Sequence, residues 1–415
     1  MLKVVENSKN DYLELMKKLI SIKSLTCQEE DFAKFLLGYF KEMGVDEAFI
    51  DGTGNVVAIV RGEGKGPNIL LNGHMDAVPE GNLENWAPYD PYKPEVVGDL
   101  LIGRGIDDLK GGLAAQIMAY KAIVERVVKK GKKLPGDLIF LAVVQEEPAE
   151  CFGMEYFFDH TMKEKNISAD VVFLAEPSSN DVVVGQRGKV ELVIKTYGRC
   201  AHSSAPQEGV NALEMMVPIL QDIFSHTGID LQSDVNGVTP ITVTNCVVKP
   251  GGTLSVVPDY CEISVDRRYA PGQTLEDLMG EFEAIFKRLE TAYPEFKATV
   301  EPRVYEETSY TGYTNKVRKY HPAWDTGADN EYVKKTLKAL HSLGQDPATK
   351  YWKFGTDGGI TCALHGIPTI GYSGAEEKWA HQPKEQVSIE EMNKTYEGYV
   401  AILSEIYGLD IKAFN

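Results

Sequence analysis

The stretch at 138–150, LIFLAVVQEEPAE, constrains the fold more than any other part of the chain. Its seven consecutive apolar residues, 138–144, are too few for a membrane span and read as a strand buried on both faces. Such strands belong to parallel sheets covered by helices. Glu146 and Glu147 follow at once. Carboxylates at the mouth of an apolar layer are costly to desolvate unless something compensates them, so this strand end raises the question of what holds the pair.

Around that strand the pattern alternates. Helical periodicity predicts helices over 10–21, 32–43 and 112–129, and apolar runs predict strands over 55–60 and 68–71. The alternation predicts an α/β fold, a mixed, mostly parallel sheet flanked by helices. The middle reads differently: VELVIKT (190–196), ITVTNCVV (241–248) and YCEISVD (260–266) alternate as half-exposed antiparallel strands do, with helices expected over 212–225 and 275–293. We therefore expect an inserted α+β domain at 188–301, with the first domain built from 1–187 and 302–415. Helices over 330–343 and 389–406 and a strand over 368–372 return to the first pattern.

Composition narrows the partners. The net charge is −18, from 43 basic and 61 acidic residues, which leaves no cationic excess to neutralise a nucleic-acid backbone. No run approaches the ~20 apolar residues of a membrane span, and MLKV does not begin a signal peptide. The expectation is a cytoplasmic protein with no nucleic-acid or membrane partner. The six cysteines include no CxxC and are expected to be free thiols.

Four further segments carry candidate chemistry. In NILLNGHMDAVP (68–79) a strand delivers His74 and, two residues on, Asp76 to one side. There the carboxylate can bond the imidazole or steer its surroundings. LLIGRGIDDLKGG (100–112) is a glycine-rich turn that opens a helix. It matches neither dinucleotide nor P-loop spacing, and its ordinary reading makes Asp107 or Asp108 a helix cap. VVFLAEP (171–177) ends a second buried strand on Glu176, and WAHQPKEQV (379–387) contains His381. Each segment has a bland reading alone. Together they bring two histidines and several carboxylates to strand ends, where open α/β sheets bind ligands. A mixed imidazole and carboxylate set suits zinc, or cobalt or manganese, better than calcium or magnesium.

In this order HMDAVP, GRGIDDLKGG, QEEP, AEP and AHQPKE resemble the M20 metallopeptidase family, which includes acetylornithine deacetylase, succinyl-diaminopimelate desuccinylase, aminoacylases and glutamate carboxypeptidase. GRCAHSSAPQEGVNALE and VPDYCEISVDRRYAPG resemble that family's lid-domain motifs, so the likeness spans the chain. It implies two divalent metal ions, one bound by His74 and Glu176 and the other by Glu147 and His381, with Asp108 bridging. It also implies Asp76 as partner of His74 and Glu146 as general base. His202 would reach the active site of a partner subunit, Arg268 would bind a substrate carboxylate, and Asn245 would make a polar substrate contact. A homodimer through the inserted domain is expected on the same ground.

The implied activity is removal of an acyl group from an N-acyl amino acid or related small amide. The alternative is a dipeptidase or carboxypeptidase acting on a short peptide, and Glu at position 176 tilts the choice toward the first. A catalytically silent, ligand-binding relative should have lost a ligand or the base, and here all six are present. GNLENWAPYDPYKPE and SYTGY also resemble a subfamily of selenium-metabolism-linked hydrolases, a label that names no reaction. Two departures bear on substrate: Gly359 and Ile360 stand after GTDG where many relatives carry an arginine, and Ser255 stands where an asparagine is common.

Overall fold

The computed structural model describes residues 2–148, 151–231, 239–252 and 254–414. The opening strand lies inside a nine-stranded sheet. Its order is Glu47–Ile50, Val56–Val60, Leu138–Val143, Ile69–His74, Val171–Leu174, Thr369–Gly371, Val182–Gln186 and Trp324–Asp325, and Thr349–Trp352 also pairs with Val182–Gln186. The four strands from Leu138–Val143 to Thr369–Gly371 form one parallel block. Antiparallel pairing flanks the block on both sides, so the sheet is mixed, as expected, with a parallel block at its centre. Every residue of Leu138–Val143 and Ile69–His74 is buried.

Side-chain alternation explains that burial. Leu71, Phe140 and Phe173 point to one face, where they pack with Leu19, Phe40, Leu113 and Val400 of covering helices. Leu70, Ile139 and Val172 point to the other, against Phe157, Trp352 and Ile360. The first layer comes from helices Lys3–Ser21, Glu30–Met43, Gly111–Arg126 and Ile389–Tyr407. Lys3–Ser21 begins earlier than its periodicity predicts because Val4 and Val5 are also buried. Gly111–Arg126 is buried along almost all its length. It approaches the sheet so closely that a Cβ on Gly112 would lie 2.2 Å from the Ala175 carbonyl oxygen.

The second sheet is antiparallel, in the order Ile241–Lys249, Tyr260–Tyr269, Gly188–Tyr197 and Ala298–Pro302, and Tyr320–His321 also pairs with Gly188–Tyr197. Helices Ala212–Ser225 and Leu275–Ala292 cover one face, with Ile219, Phe282 and Phe286 on Val190, Leu192, Ile194 and Ile263. The alternate positions Lys189, Glu191, Asp266 and Arg268 are only half-buried and form a polar face.

Two small sheets have no counterpart in the sequence reading. One is the hairpin Val304–Thr308 with Thr314–Arg318. The other joins Glu95–Val97, Leu100–Ile102 and Gln386–Ser388, and so ties the Asp108 turn to the segment that follows His381. All six cysteines are free. No helix among the described residues is long and apolar enough to cross a membrane.

Candidate metal centre

The four strands of the parallel block deliver the site at their carboxyl ends, where an open sheet leaves a crevice. His74 is the last residue of Ile69–His74. Glu146 and Glu147 follow Leu138–Val143, Glu176 follows Val171–Leu174, and His381 lies in the loop after Thr369–Gly371. Asp108 comes from the turn before helix Gly111–Arg126. Neither aspartate caps that helix, whose N-cap position is Lys110, without a side-chain cap. The Lys110 ammonium instead donates to the carbonyls of Leu19 (3.1 Å) and Ile22 (2.9 Å) at the end of the first helix.

The carboxylate of Asp108 spans the two histidines. Oδ1 lies 3.1 Å from His74 Nε2, and Oδ2 lies 3.1 Å from His381 Nε2. Glu147 Oε2 is 2.9 Å from His381 Nε2, and Glu176 Oε1 is 3.8 Å from His74 Nε2. Glu146 Oε2 stands 4.0 Å from His74 Nε2. Two sets of donor atoms, His74 with Asp108 and Glu147, and His74 with Glu146 and Glu176, each lie within 4.8 Å of one another and could hold a metal ion.

Buried scaffolding holds these groups. His74 Nδ1 donates to the main-chain oxygen of Asp76 (2.9 Å), and the Asp76 carboxylate is 3.6 Å away. That carboxylate instead accepts from the N–H groups of Glu146 (3.1 Å) and Glu147 (3.2 Å) and from Thr26 Oγ1 (2.9 Å). Asp76 therefore fixes the glutamate pair through its carboxylate and the imidazole through its main-chain oxygen. Gln145 enters the pair with φ 54°, and His381 also has a left-handed φ, 62°. Such backbone is unfavourable for non-glycine residues and persists where surroundings enforce it. For Gln145 they do: its N–H donates to Glu29 (3.3 Å) and its amide to the Thr308 carbonyl (2.9 Å). The buried Glu385 braces the Asp108 turn. It accepts from the N–H groups of Gly105 (2.9 Å), Asp107 (2.7 Å) and Asp108 (3.1 Å) and from Arg104 (2.7 Å).

The electrostatics are those of a cation site. Burial, then the charge of Glu176, pushes the Glu146 carboxyl well up, and burial with Asp108 does the same to Glu176. Burial and Asp108 raise Glu147 to about 7. Burial alone would raise Asp108 too, but hydrogen bonds from His381 and His74 hold it below the usual carboxylate range. Hydrogen bonds to Asp108 and Glu147 raise His381 to about 10. Four carboxylates thus crowd two imidazoles. Two divalent cations would neutralise such a set, and its donors are of the kinds zinc, cobalt and manganese accept.

A cavity of about 290 Å³ opens from these carboxylates; Arg268, Lys189 and His321 line it from the second sheet, and Phe354 lines it too. The structure therefore gathers His74, Asp108, Glu146, Glu147, Glu176 and His381, with Asp76 behind them and Arg268 across the cavity. His202 and Asn245 are not in it. His202 is exposed and bonds Ser204 Oγ (2.7 Å), and Asn245 is exposed on the edge strand Ile241–Lys249, accepting from the Cys246 N–H (2.9 Å). Sequence reasoning did not single out Lys189, His321, Asp357 or Glu385. Asp357 lies in GTDGG and Glu385 in AHQPKEQV, both within motifs already marked. Lys189 and His321 carried no signal beyond strand alternation. Asp357 is a further buried carboxyl, raised to about 7 chiefly by burial.

Known proteins share this architecture. The protein YgeY of Escherichia coli K12 is 30% identical over 412 residues, 97% of this chain and 95% of that protein. A succinyl-diaminopimelate desuccinylase of Nautilia profundicola is 25% identical over 398 residues, 95% of this chain and 99% of that one. The crystal structure of aminopeptidase PepT from Bacillus cereus superposes with a TM-score of 0.73 at 22% identity, covering 96% of this chain and 98% of that one, and is a likeness of fold. Residues 70–405 match the model of Peptidase family M20/M25/M40, and the chain belongs to that family, with it to the hydrolases of amide and peptide bonds.

Proposed function

We propose that the protein is a di-metal amidohydrolase that removes the acyl group from an N-acyl amino acid or a related small amide. The observation that carries this reading is the Asp108 carboxylate, one oxygen 3.1 Å from His74 and the other 3.1 Å from His381. In this reading His74 and Glu176 would hold one ion, Glu147 and His381 would hold the other, and Asp108, which lies between the two histidines, would serve both. Zinc is the first candidate, with cobalt or manganese in exchange. Ions bound there supply Lewis-acid polarisation of the scissile carbonyl and a lowered pKa for the attacking water.

Glu146 lines the cavity without hydrogen-bonding either histidine, which leaves its carboxylate available as general base. It takes the proton of the attacking water and hands it to the departing nitrogen. Asp76 keeps that carboxylate in place through the Glu146 N–H. Arg268 is assigned to a substrate carboxylate, for which a planar fork is suited.

His202 and Asn245, outside this chain's cavity, reach substrate only across a homodimer. Two features favour such a dimer through the unit built on the second sheet. Among the described residues, strand Ile241–Lys249 pairs on one side only, and Leu213, Val217 and Phe224 are exposed on helix Ala212–Ser225.

The test is hydrolysis of N-acetyl, N-succinyl and N-carbamoyl amino acids and simple dipeptides by chelator-stripped protein, before and after Zn²⁺ or Co²⁺ is restored. Metal-dependent cleavage of the acyl amino acids is the expected result. Cleavage of dipeptides alone would replace the acylase reading with a peptidase one. No bound metal together with no cleavage would end both.

A further inference from the structure

The hairpin of Val304–Thr308 with Thr314–Arg318 has almost no core of its own. In its two strands only Val317 is buried. A two-stranded hairpin is at best marginally stable by itself, so what orders this one is what it touches at its two ends.

At the base, the Arg303 guanidinium donates to Glu191 (3.1 Å), Glu262 (3.2 Å) and Ser264 (2.6 Å) on the second sheet. The Arg303 N–H donates to the Glu191 carbonyl (2.7 Å), and the Glu191 N–H donates to the Lys319 carbonyl (3.0 Å). Glu191 stands two positions beyond Lys189 and so faces the same way. The base is thus seated on the polar face that brings Lys189 and Arg268 to the cavity. At the tip, Tyr310 Oη donates to the Gly54 carbonyl (2.9 Å) and Thr311 Oγ1 to the Gly52 carbonyl (2.8 Å). A Cβ on Gly54 would lie 2.4 Å from the Tyr310 ring, so that ring rests directly on main chain. Tyr313 packs on Phe152 and Tyr156, with ring centroids 5.6 and 4.7 Å apart.

Two routes lead from the tip to Glu146. The short one is the Thr308 carbonyl, which accepts from the Gln145 amide (2.9 Å). The longer one runs through the turn that the tip grips. There Asp51 accepts from the N–H groups of Thr53 (3.1 Å), Gly54 (3.0 Å) and Asn55 (3.0 Å). Asn55 Oδ1 in turn accepts from the Val144 N–H (3.0 Å). Both residues before Glu146 are therefore held from the hairpin, Gln145 by its side chain and Val144 by its main chain. Gln145 needs such holding, because its φ of 54° is strained for a residue with a Cβ.

We propose that the hairpin is a strap between the two walls of the cavity, and that through it Gln145 acts as a positioning residue for Glu146. One end is fixed to the wall that carries Lys189 and Arg268, the other to the strand end that carries the glutamates. The distance between bound substrate and the Glu146 carboxylate is set along this path.

This inference rests on the reading of Glu146 as general base, but main-chain exchange tests it apart from activity. In metal-loaded protein, amide hydrogen exchange at 144–147 is read by mass spectrometry of peptic fragments. Tyr310→Phe/Thr311→Ala removes both hydroxyl bonds at the tip and should speed that exchange about 10-fold, the effect of one or two ordinary hydrogen bonds. Gln145→Met keeps the length of the side chain without its donor and should do the same. Arg303→Gln, at the far end of the strap, should act in the same direction. Lys316→Ala, exposed on the hairpin, is the control and should change nothing. In the three strap variants kcat for N-acetylmethionine should fall about 10- to 100-fold at unchanged KM, with metal content intact, as for a reacting group displaced by a fraction of an ångström. Unchanged exchange in the tip variant would overturn the strap, and so would a response to the tip variant but not to Arg303→Gln. Equal acceleration at 69–73 would overturn it too, since the whole sheet would then have loosened. Faster exchange at 144–147 with kcat intact would end the positioning role. In that case an inactive Glu146→Ala would leave the general-base reading standing, and an active one would remove it as well.

Discussion

The two ends of the cavity are built on different plans. At the carboxylate end several functional groups are held by others that do not line the cavity: Asp76 fixes the N–H groups of both glutamates, Glu385 fixes the Asp108 turn, and Glu29 and Thr308 fix Gln145. At the cationic end Lys189 and Arg268 share Asp266 and otherwise extend from a half-buried strand face. The first end comes from strands buried on both faces, the second from a sheet with one polar face. The contrast separates two demands. Bond cleavage needs atoms held to fractions of an ångström, whereas recognition of a charged group tolerates slack.

Substitutions at the two ends should differ accordingly. The largest effect is expected from Glu146→Ala, which should lower kcat by about 10²- to 10⁴-fold while metal content, read by elemental analysis, stays at two per chain. Surviving turnover would remove Glu146 from the role of base.

Glu385→Ala comes next. It leaves the Arg104 guanidinium buried without its partner and three N–H groups of the Asp108 turn unsatisfied. Breaking a buried pair in this way costs about 3–5 kcal/mol, so the denaturation midpoint should drop and metal affinity should fall with it. Loss of stability with metal affinity intact would show that the brace does not reach the site.

Asp76→Ala should weaken metal binding by about 10- to 100-fold, the usual effect of losing a carboxylate behind the ligands. A competition titration against a chromogenic chelator reads this directly. If affinity holds, the glutamate pair is positioned without Asp76.

The smallest effect concerns pH and sharpens the comparison from the metal side. In chelated protein the Glu147 carboxyl is raised from 4.5 to about 7, by burial first and then by Asp108. A carboxyl raised on folding contributes stability that is fully present below its unfolded pKa and is lost as pH rises through the folded one. The Tm of chelated protein should therefore fall between about pH 4.5 and pH 7. Metal-loaded protein, which needs that group ionised, should not lose stability over the same window. Parallel Tm curves for the two forms would place the ions elsewhere.

Legibility in the sequence follows the same division. The parallel block announces itself because runs such as LIFLAVV are apolar without alternation, and acids or histidines at the ends of such runs stand out against them. Helix Ala212–Ser225 begins and ends where its periodicity predicts. Lys189 escaped notice because VELVIKT and its flanks alternate, and a charged residue in an alternating strand reads as a solvated face. Only the pairing of three strands brings it beside Arg268 and His321. The hairpin Val304–Thr308 and Thr314–Arg318 is rich in charged and polar residues and offers no apolar run to read. Glu385 lay inside a recognised motif, but its hydrogen bonds to main chain about 280 positions away have no local signature.

The close approach at Gly112 bears on how wide the site can be. What a methyl group would strike there is the main-chain oxygen of Ala175, at 2.2 Å, and main chain cannot turn aside as a rotamer can. Any larger residue must part the helix from the strand. Asp108 lies four positions before Gly112 and Glu176 directly after Ala175, so the spacing of these two carboxylates is gauged by a hydrogen atom. A position with no side chain thus helps to set the spacing of the acid cluster.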